Sequence, residues 1–133
     1  MRDMKNKVLV TEALVISAIT SDTTTVGTIV DTRGYDECLV AILSGALATG
    51  VFTPVLEYGD ASDLADAAAV PSDMLGGTLA DATFAATDDR VVKTLGYVGD
   101  KRYIRLSIVT TGGAAGGIAA TAILGRPTDG PTS

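Results

Sequence analysis

The sequence predicts an all-β domain, an antiparallel β-sandwich or barrel of about eight strands with at most one short helix. Three observations predict this class. Apolar and β-branched residues occur in short runs, turn-forming residues separate many of the runs, and apolar and polar residues alternate in a strand of the last third of the chain. With 133 residues, of which 47% are hydrophobic, the chain is long enough to bury one core.

The first half of the chain contains four predicted strands, at residues 14–19, 24–30, 37–44 and 51–58. The third of them is apolar on both faces, so it requires cover from both sides. Pro54 has no backbone N–H to donate to a neighbouring strand. We therefore expect the fourth strand to lie at an edge of the sheet.

The region at residues 60–89 differs in composition from the strands around it. Ser62 is placed to cap a short helix over residues 63–68, and Val70-Pro71 would end that helix. A short strand is predicted near residues 78–80. The region is a long insertion between strands, and long insertions often carry contacts.

A hairpin is the clearest local pattern in the chain. Its strands cover residues 91–98 and 103–110, and residues 99–102 form the turn between them. In the second strand, apolar residues at alternate positions point inward and Arg105 points outward.

Domain boundaries follow from the two ends of this strand pattern. A connection rich in Gly and Ala, at residues 112–117, leads to a last predicted strand at residues 118–124. The strands thus define a single domain at residues 14–125. A polar N-terminal arm at residues 1–13 and a C-terminal tail at residues 126–133 flank it.

The N-terminus also bears on localisation. Basic residues precede an apolar run, as in a signal peptide, but Thr11 and Glu12 interrupt the run and no small-residue cleavage pattern follows, so the arm is favoured. No stretch of 18 apolar residues is present, and no spanning helix is expected. The single cysteine, Cys38, fits folding in a reducing cytoplasm.

Composition excludes several kinds of chemistry. The chain has no His, which excludes a Ser-His-Asp or Cys-His catalytic unit and a His-ligated zinc site. One Cys excludes an intrachain disulfide. The net charge of −6 disfavours binding to nucleic acid. We predict that the chain is not an enzyme, has no catalytic residues, cofactor or metal ligands, and contacts neither nucleic acid nor membrane directly.

Four features of the sequence resemble functional sites, but a structural explanation is favoured for each. Asp60, Asp63 and Asp66 would share a helix face, but they lack the spacing of a calcium loop and match solvated residues near a helix start. The pair Asp88-Asp89 fits a polar loop. Cys38 fits a buried small hydrophobe. The glycines of residues 112–117 lack a phosphate-loop signature and fit a turn.

Charge is distributed unevenly along the chain. Residues 34–89 contain 10 acids and no Lys or Arg, whereas six of the basic residues follow residue 89. Two explanations stay open: solvated strand faces, or a charge-complementary surface that fixes contacts with a partner. On the second explanation, the candidate partner contacts are Arg2, Lys5, Lys7, Lys101, Arg102, Arg105 and Arg126.

Most of the chain, at residues 35–127, resembles small proteins encoded beside the major capsid protein genes of tailed bacteriophages and prophages. The resemblance is one of overall texture and of phrases such as GYVGDKRYIRL, residues 96–106. These proteins are similar to phage capsid cement or decoration proteins. The resemblance implies a jelly-roll-like fold, a homodimer or homotrimer, and the major capsid protein as partner.

The expected function is that of a virion structural protein. The chain would bind the outer surface of a phage capsid and stabilise contacts between major capsid protein subunits, after synthesis in the cytoplasm of the host bacterium. Its location would then be the capsid exterior. A tail-tube, neck or head-spike subunit is one alternative, and a small carbohydrate-binding β-sandwich module is another.

Overall fold

The computed structural model describes residues 8–127, without the side chains of Ile16, Ser17, Asp36, Arg126 and Pro127. The described chain forms one eight-stranded sheet, and all of its strand pairs are antiparallel. The strands are β1 (Val8–Ile19), β2 (Thr24–Asp31), β3 (Tyr35–Gly59), β4 (Ala68–Ala69), β5 (Leu75–Gly76), β6 (Phe84–Ala85), β7 (Val92–Tyr97) and β8 (Tyr103–Pro127). One 3₁₀ turn covers Ser72–Met74. The predicted all-β class is confirmed.

The sheet is organised around two long strands. Strands β3 and β8 have 25 residues each and pair from Tyr35 opposite Pro127 to Gly59 opposite Tyr103. The register of this pair shifts between Ser44 and Val51. Such bulges bend a strand and increase its twist, so they divide the pair into two halves without ending it.

The two halves belong to two layers of a sandwich. In the first layer, residues 37–44 of β3 and 116–125 of β8 pair with each other and with β7 and β1. In the second layer, residues 51–59 of β3 and 103–111 of β8 pair with each other and with strands β2, β4 and β6. Strand β5 pairs with β7 of the first layer. Alternate residues of both halves point into one shared core.

The core consists mainly of aliphatic side chains and two phenylalanines. Phe52, Phe84, Ile42, Leu95 and Ile108 are 0% exposed. One cluster joins them to buried residues of β1 and of both halves of β8. Because one cluster serves both layers, the apolar burial that stabilises one layer also stabilises the other.

Glycine permits the close approach at the bend. Gly50 has a φ of +89°, and a Cβ added there would lie 2.5 Å from the Cα of Ala114. An L side chain disfavours that φ and has no room at that distance. The bend therefore requires glycine at position 50.

The sequence predictions divided the two long strands incorrectly. Residues 37–44 and 51–58 lie in the single strand β3, and residues 103–110 and 118–124 lie in the single strand β8. The glycine-rich residues 112–117 are part of β8. Glycines at positive φ were interpreted as a connection, but here they form a bend inside a paired strand.

The predicted helix over residues 63–68 does not form. Turns occupy most of this segment. The Asp66 carboxylate accepts the backbone N–H groups of Asp60, at 2.9 Å, and Ala61, at 3.2 Å. Such short-range side-chain bonds compete with helical hydrogen bonds and favour turns. The strand expected near residues 78–80 is also absent, and the short strands β5 and β6 lie on either side of it.

The edge position predicted from Pro54 is correct only locally. Strand β3 is internal, and Pro54 lies opposite Ile108 of β8. On its other side, β6 pairs at Phe52, and the Leu56 carbonyl accepts the N–H of Val70. Backbone groups of alternate residues point to the same side, so residue 54 faces the gap between these two contacts. The missing N–H leaves no neighbouring carbonyl unpaired.

The N-terminal arm is shorter than predicted. Strand β1 begins at Val8, which lies opposite Gly125, so residues 8–13 belong to the sheet and not to an arm. They are ordered by pairing with β8, which itself continues to Pro127 and includes the first two residues of the predicted tail. Residues 1–7 and 128–133 lie outside the described range.

Candidate functional surface

The candidate partner contacts fall into two groups. Arg2, Lys5 and Lys7 lie outside the described residues, and Arg126 lies in β8 but its side chain is not described. Lys101, Arg102 and Arg105 lie at the β7–β8 turn and along the start of β8. Each of these three forms an ion pair within the chain.

Arg102 binds Asp31 through a two-pronged contact. Its Nε donates to Oδ1 at 2.8 Å and its Nη2 donates to Oδ2 at 2.7 Å. This contact joins the β7–β8 turn to the end of β2. The hydrogen bonds from Arg102 hold the pKa of the Asp31 carboxyl below its usual value. The guanidinium also lies 4.8 Å from the ring centre of Tyr103.

Lys101 and Arg105 bind acids from the end of β3. The Lys101 Nζ donates to Asp60 Oδ2 at 2.9 Å, and this hydrogen bond raises the pKa of Lys101. The Arg105 Nη2 donates to Glu57 Oε1 at 3.2 Å across the sheet, where the two residues are register partners. Arg105 Nε is buried and has no hydrogen-bond partner among the described residues.

Acidic residues in the long insertion also have structural partners. Asp88 Oδ2 accepts the N–H of Ala85 at 2.8 Å and lies 3.3 Å from Lys93 Nζ. The Ala85 N–H and then Lys93 lower the pKa of Asp88. Asp89 Oδ1 accepts the N–H of Leu47 at 2.7 Å. The pair Asp88-Asp89 thus fixes the insertion to β3, in agreement with the predicted polar loop.

Cys38 lies half-buried in the first layer. Burial raises the pKa of its thiol to about 11, so the thiol is protonated at neutral pH. It lines a depression of about 150 Å³ beside Tyr35, Tyr97 and Gly99. This environment agrees with the predicted role as a small hydrophobe.

Two further features are absent from the described residues. Residues 8–127 contain no group of three or more His, Cys, Asp or Glu side chains that could hold a metal ion. In the same range, no helix is long and apolar enough to cross a membrane.

The outer side of the first layer is apolar, and we call it the apolar face. Large members of this face are Leu39 and Leu43 on β3, Val10 on β1 and Val92 on β7, with exposed fractions of 38%, 41%, 58% and 58%. The strand register aligns them across the sheet. Val15 on β1 is also 58% exposed. The smaller or less exposed members are Gly45, Ala41, Thr94, Gly96, Gly117, Ala119, Thr121 and Ile123.

The surface of the apolar face is uneven and contains two depressions. A depression of about 470 Å³ lies over β8, with Ala119 and Thr121 on its floor and Val10 and Leu43 among its walls. A second depression, of about 200 Å³, adjoins it at Leu43 and Gly117. Small side chains on β8 thus form a trough beside the leucines of β3.

The sequence predicted one strip of this surface. Residues 37–44 were expected to need cover on both faces, and the core covers only the inner one among the described residues. The contributions of β1, β7 and β8 were not predicted, because they depend on register between residues far apart in the chain, as in Leu43 opposite Val92 and Val10 opposite Ile123. In the sequence, only the alternation of apolar residues within each strand indicates these contributions to the apolar face.

Comparison with known proteins gives structural similarity without sequence similarity. No protein-family model and no curated protein sequence matches the chain. The fold is similar to that of the SPBc2 prophage-derived protein YomS, with a TM-score of 0.56 and 12% identity over 90% of this chain and 93% of that one. It is also similar to the PBSX exported protein XepA, with a TM-score of 0.55 and 16% identity, where the match covers 95% of this chain and 39% of that one.

A third similar structure is that of Bacillus endospore appendages, a family of disulfide-linked pili. The TM-score is 0.51 and the identity 17%, over 96% of this chain and 98% of that one. At such identities the likeness concerns the fold. The chain therefore shares its all-β fold with a prophage-derived protein, a PBSX exported protein and an endospore appendage.

Proposed function

We propose that this chain is a structural component of a bacteriophage-related particle and binds the outside of a capsid shell as a cement or decoration protein. The observation that carries the proposal is the apolar face, because a surface of this kind indicates that the chain functions in an assembly of several protein copies. Four strands present large aliphatic side chains outward on a small sandwich, and contiguous apolar patches of this kind mark surfaces that another macromolecule covers.

The fold supports a phage-related role. One of the similar structures is that of the SPBc2 prophage-derived protein YomS, and a second is that of the PBSX exported protein XepA. The sequence resemblance to proteins encoded beside major capsid protein genes covers residues 35–127 and favours the capsid as the place of binding. The fold likeness thus supports the phage-related role, and the capsid is proposed from the sequence resemblance alone.

Shell binding is multivalent on this proposal. A small surface gives modest affinity to a single copy, whereas a homo-oligomer on a repeating lattice engages several sites at once and gains effective concentration. The contact with the shell would then use surfaces away from the apolar face. The β7–β8 turn is one such surface, since Val98 beside it is 68% exposed.

A filament or tail subunit is the second candidate. The likeness to endospore appendages, which are pili, covers 98% of that chain and favours it. A carbohydrate-binding function has less support, because each of the six aromatic residues is buried or half-buried.

The proposed function is tested by counting copies on particles. Purified particles are sedimented with the protein, and the ratio of bound chain to shell protein is measured. We expect a near-integer ratio over the whole shell. A few copies per particle would replace the cement function with a tail or neck function, and no binding would overturn both.

A charge exchange tests whether the β7–β8 turn contacts the shell. Lys101→Glu with Arg102→Glu breaks the internal pairs, and adding Asp60→Lys with Asp31→Arg restores them with reversed sign. If the turn contacts the shell, both variants bind particles more weakly. If the cations serve only the fold, the four-residue exchange restores binding, and the turn is then not the contact.

A further inference from the structure

The apolar face has the size of a small protein interface. Its four strands lie about 4.8 Å apart, and residues 39–45 of β3 span roughly 20–25 Å, which together give roughly 400–500 Å². Two such faces in contact would remove roughly 800–1,000 Å² from water, which is at or just below the lower limit for a specific association. The area therefore suffices for a weak dimer of this chain.

The relief of the face is complementary to itself. Leu43 forms a ridge on β3 beside the trough that Gly117, Ala119 and Thr121 form on the neighbouring strand β8, whereas Leu39 is the register partner of the larger Ile123. A surface with a ridge and a matching trough side by side can dock on its own copy. For this docking, a two-fold axis must place the ridge of each copy over the trough of the other. This is possible because the ridge and the trough lie on adjacent strands.

We propose that a second copy of this chain covers the apolar face. A two-fold axis parallel to the strands, between β3 and β8, places β3 of each copy over β8 of the other. Leu43 and Ala119 are register partners in one chain. The axis therefore puts the Leu43 of each copy over the Ala119 of the other, and it makes this contact twice.

The charges at the rim are compatible with this arrangement. Glu12 on β1 is the charged member of the row formed by Thr121, Ala41 and Thr94. The axis places β1 opposite β7, so Glu12 faces the partner copy's Thr94 and not a second Glu12. Glu12 also accepts a hydrogen bond from Thr28 at 2.7 Å. Two like charges thus stay apart across the interface.

The dimer deepens the proposed function and rests on it for its role on particles. With the apolar faces buried against each other, the second layers and the β7–β8 turns of both copies point outward. A dimer would then present two equivalent contact surfaces to a repeating shell, the arrangement that multivalent binding requires. The existence of the dimer itself does not depend on the shell.

Sedimentation of the isolated protein tests the dimer. We expect a concentration-dependent dimer between about 5 and 200 μM, a range typical of a small interface. Leu43→Glu should weaken it at least tenfold. Val26→Glu is the matched control, since Val26 is 58% exposed on β2 in the second layer and should leave the dimer unchanged. Circular dichroism and thermal melting establish that both variants fold.

Chemical cross-linking supplies an independent test. In a Cys38→Ser background, Leu43→Cys places two Cα atoms roughly 11 Å apart across the axis, from a sheet separation of about 10 Å and one strand spacing, and the two thiols project into the interface within that distance. A bis-maleimide of that span should join them, and Val26→Cys should stay unlinked. Equal linking of the two variants would overturn the geometry.

The outcomes separate the two proposals. A wild-type chain that is monomeric throughout, or a dimer that Leu43→Glu leaves intact, overturns the dimer. If the monomer binds particles and Leu43→Glu abolishes that binding, the shell and not a second copy covers the face. A dimer that dissociates with Leu43→Glu but fails to bind particles supports the dimer and overturns the cement function.

Discussion

The two layers of the sandwich have similar inner faces and different outer faces. Both outer faces are built from the same long strands, β3 and β8. In the second layer the outward positions include the ion pair of Glu57 and Arg105, whereas in the first layer the corresponding positions hold Leu39, Leu43 and Ile123. The inward residues specify the fold, and the outward residues of one layer form the apolar face that we propose a second copy covers.

The two layers also differ in where their charged residues lie. In the second layer and at the β7–β8 turn, cations are paired with acids from distant parts of the sequence. Paired charges hold the layer's own elements together, and the same layer also exposes Val26 and Val51. The apolar face is uncharged except at its rim, so the apolar surface it exposes has an unfavourable hydration free energy until it is covered.

The largest expected effect comes from breaking the core that the two layers share. Phe52 is 0% exposed in the second layer and Leu124 is 1% exposed in the first. Phe52→Ala should cost about 3–5 kcal/mol and Leu124→Ala about 2–5 kcal/mol, because each leaves a cavity in the same cluster. Urea unfolding followed by circular dichroism should give one transition for both variants. Two separate transitions would mean that the layers unfold independently.

The bend between the layers should be the next most sensitive feature. Gly50→Ala forces a side chain into a positive φ and against Ala114, and we expect a loss of about 1–3 kcal/mol in the free energy of unfolding. Gly45→Ala is the control, since a Cβ there would meet its nearest atom at an ordinary 3.7 Å. A similar loss for both variants would argue against a special requirement at position 50.

Removing the charge pair of the second layer should have a smaller effect. The side chains of Glu57 and Arg105 are 28% and 22% exposed. Glu57→Gln leaves a half-buried guanidinium without its partner, and we expect a loss of about 1 kcal/mol. Asp73→Asn, at an exposed position in the 3₁₀ turn, should change stability by less. If the two variants are equally stable by thermal melting, the Glu57–Arg105 pair is not a stabilising contact.

The smallest expected effect is a dependence on acid. The backbone N–H of Ala114, and then that of Gly113, lower the pKa of Asp22 from its ordinary 3.8. A carboxyl with a lowered folded-state pKa stabilises the fold above its unfolded pKa, and this stabilisation is lost as the pH falls through the folded value. Urea midpoints at pH 7, 4 and 3 should therefore fall less steeply for Asp22→Asn than for the wild type. Parallel curves would contradict this.

Local patterns in the sequence predicted the structural features that depend on residues close together in the chain. Alternation at Ile104, Leu106 and Ile108 predicted an inward-facing strand, and these residues are buried. The double-sided apolar run at residues 37–44 predicted a strand with a second apolar surface. The glycines at the bend were misinterpreted, because a turn and a bulge within a paired strand have similar local composition.

Features that depend on distant partners were not predictable in the same way. Arg102 and Asp31 are 71 residues apart, and the pairing of β2 with β8, in which Asp31 lies opposite Tyr103, brings them within 2.7 Å. The sequence therefore left two explanations open for the basic residues, a solvated surface or contacts with an external partner, and did not reveal their internal acids. The helix over residues 63–68 failed for a related reason, since the Asp66 side chain bonds to the backbone of Asp60 instead of leaving it to helical pairing.

The position of β8 in the sheet has a consequence for synthesis. This last strand is the neighbour of β1, β2 and β3, which occupy the first half of the chain. During translation these strands lack β8, their main pairing partner, until about 127 residues have left the ribosome. Nascent chains stalled before β8 should therefore be open to proteases and to chaperones. The fold then forms late and over long loops, which makes it slow to form.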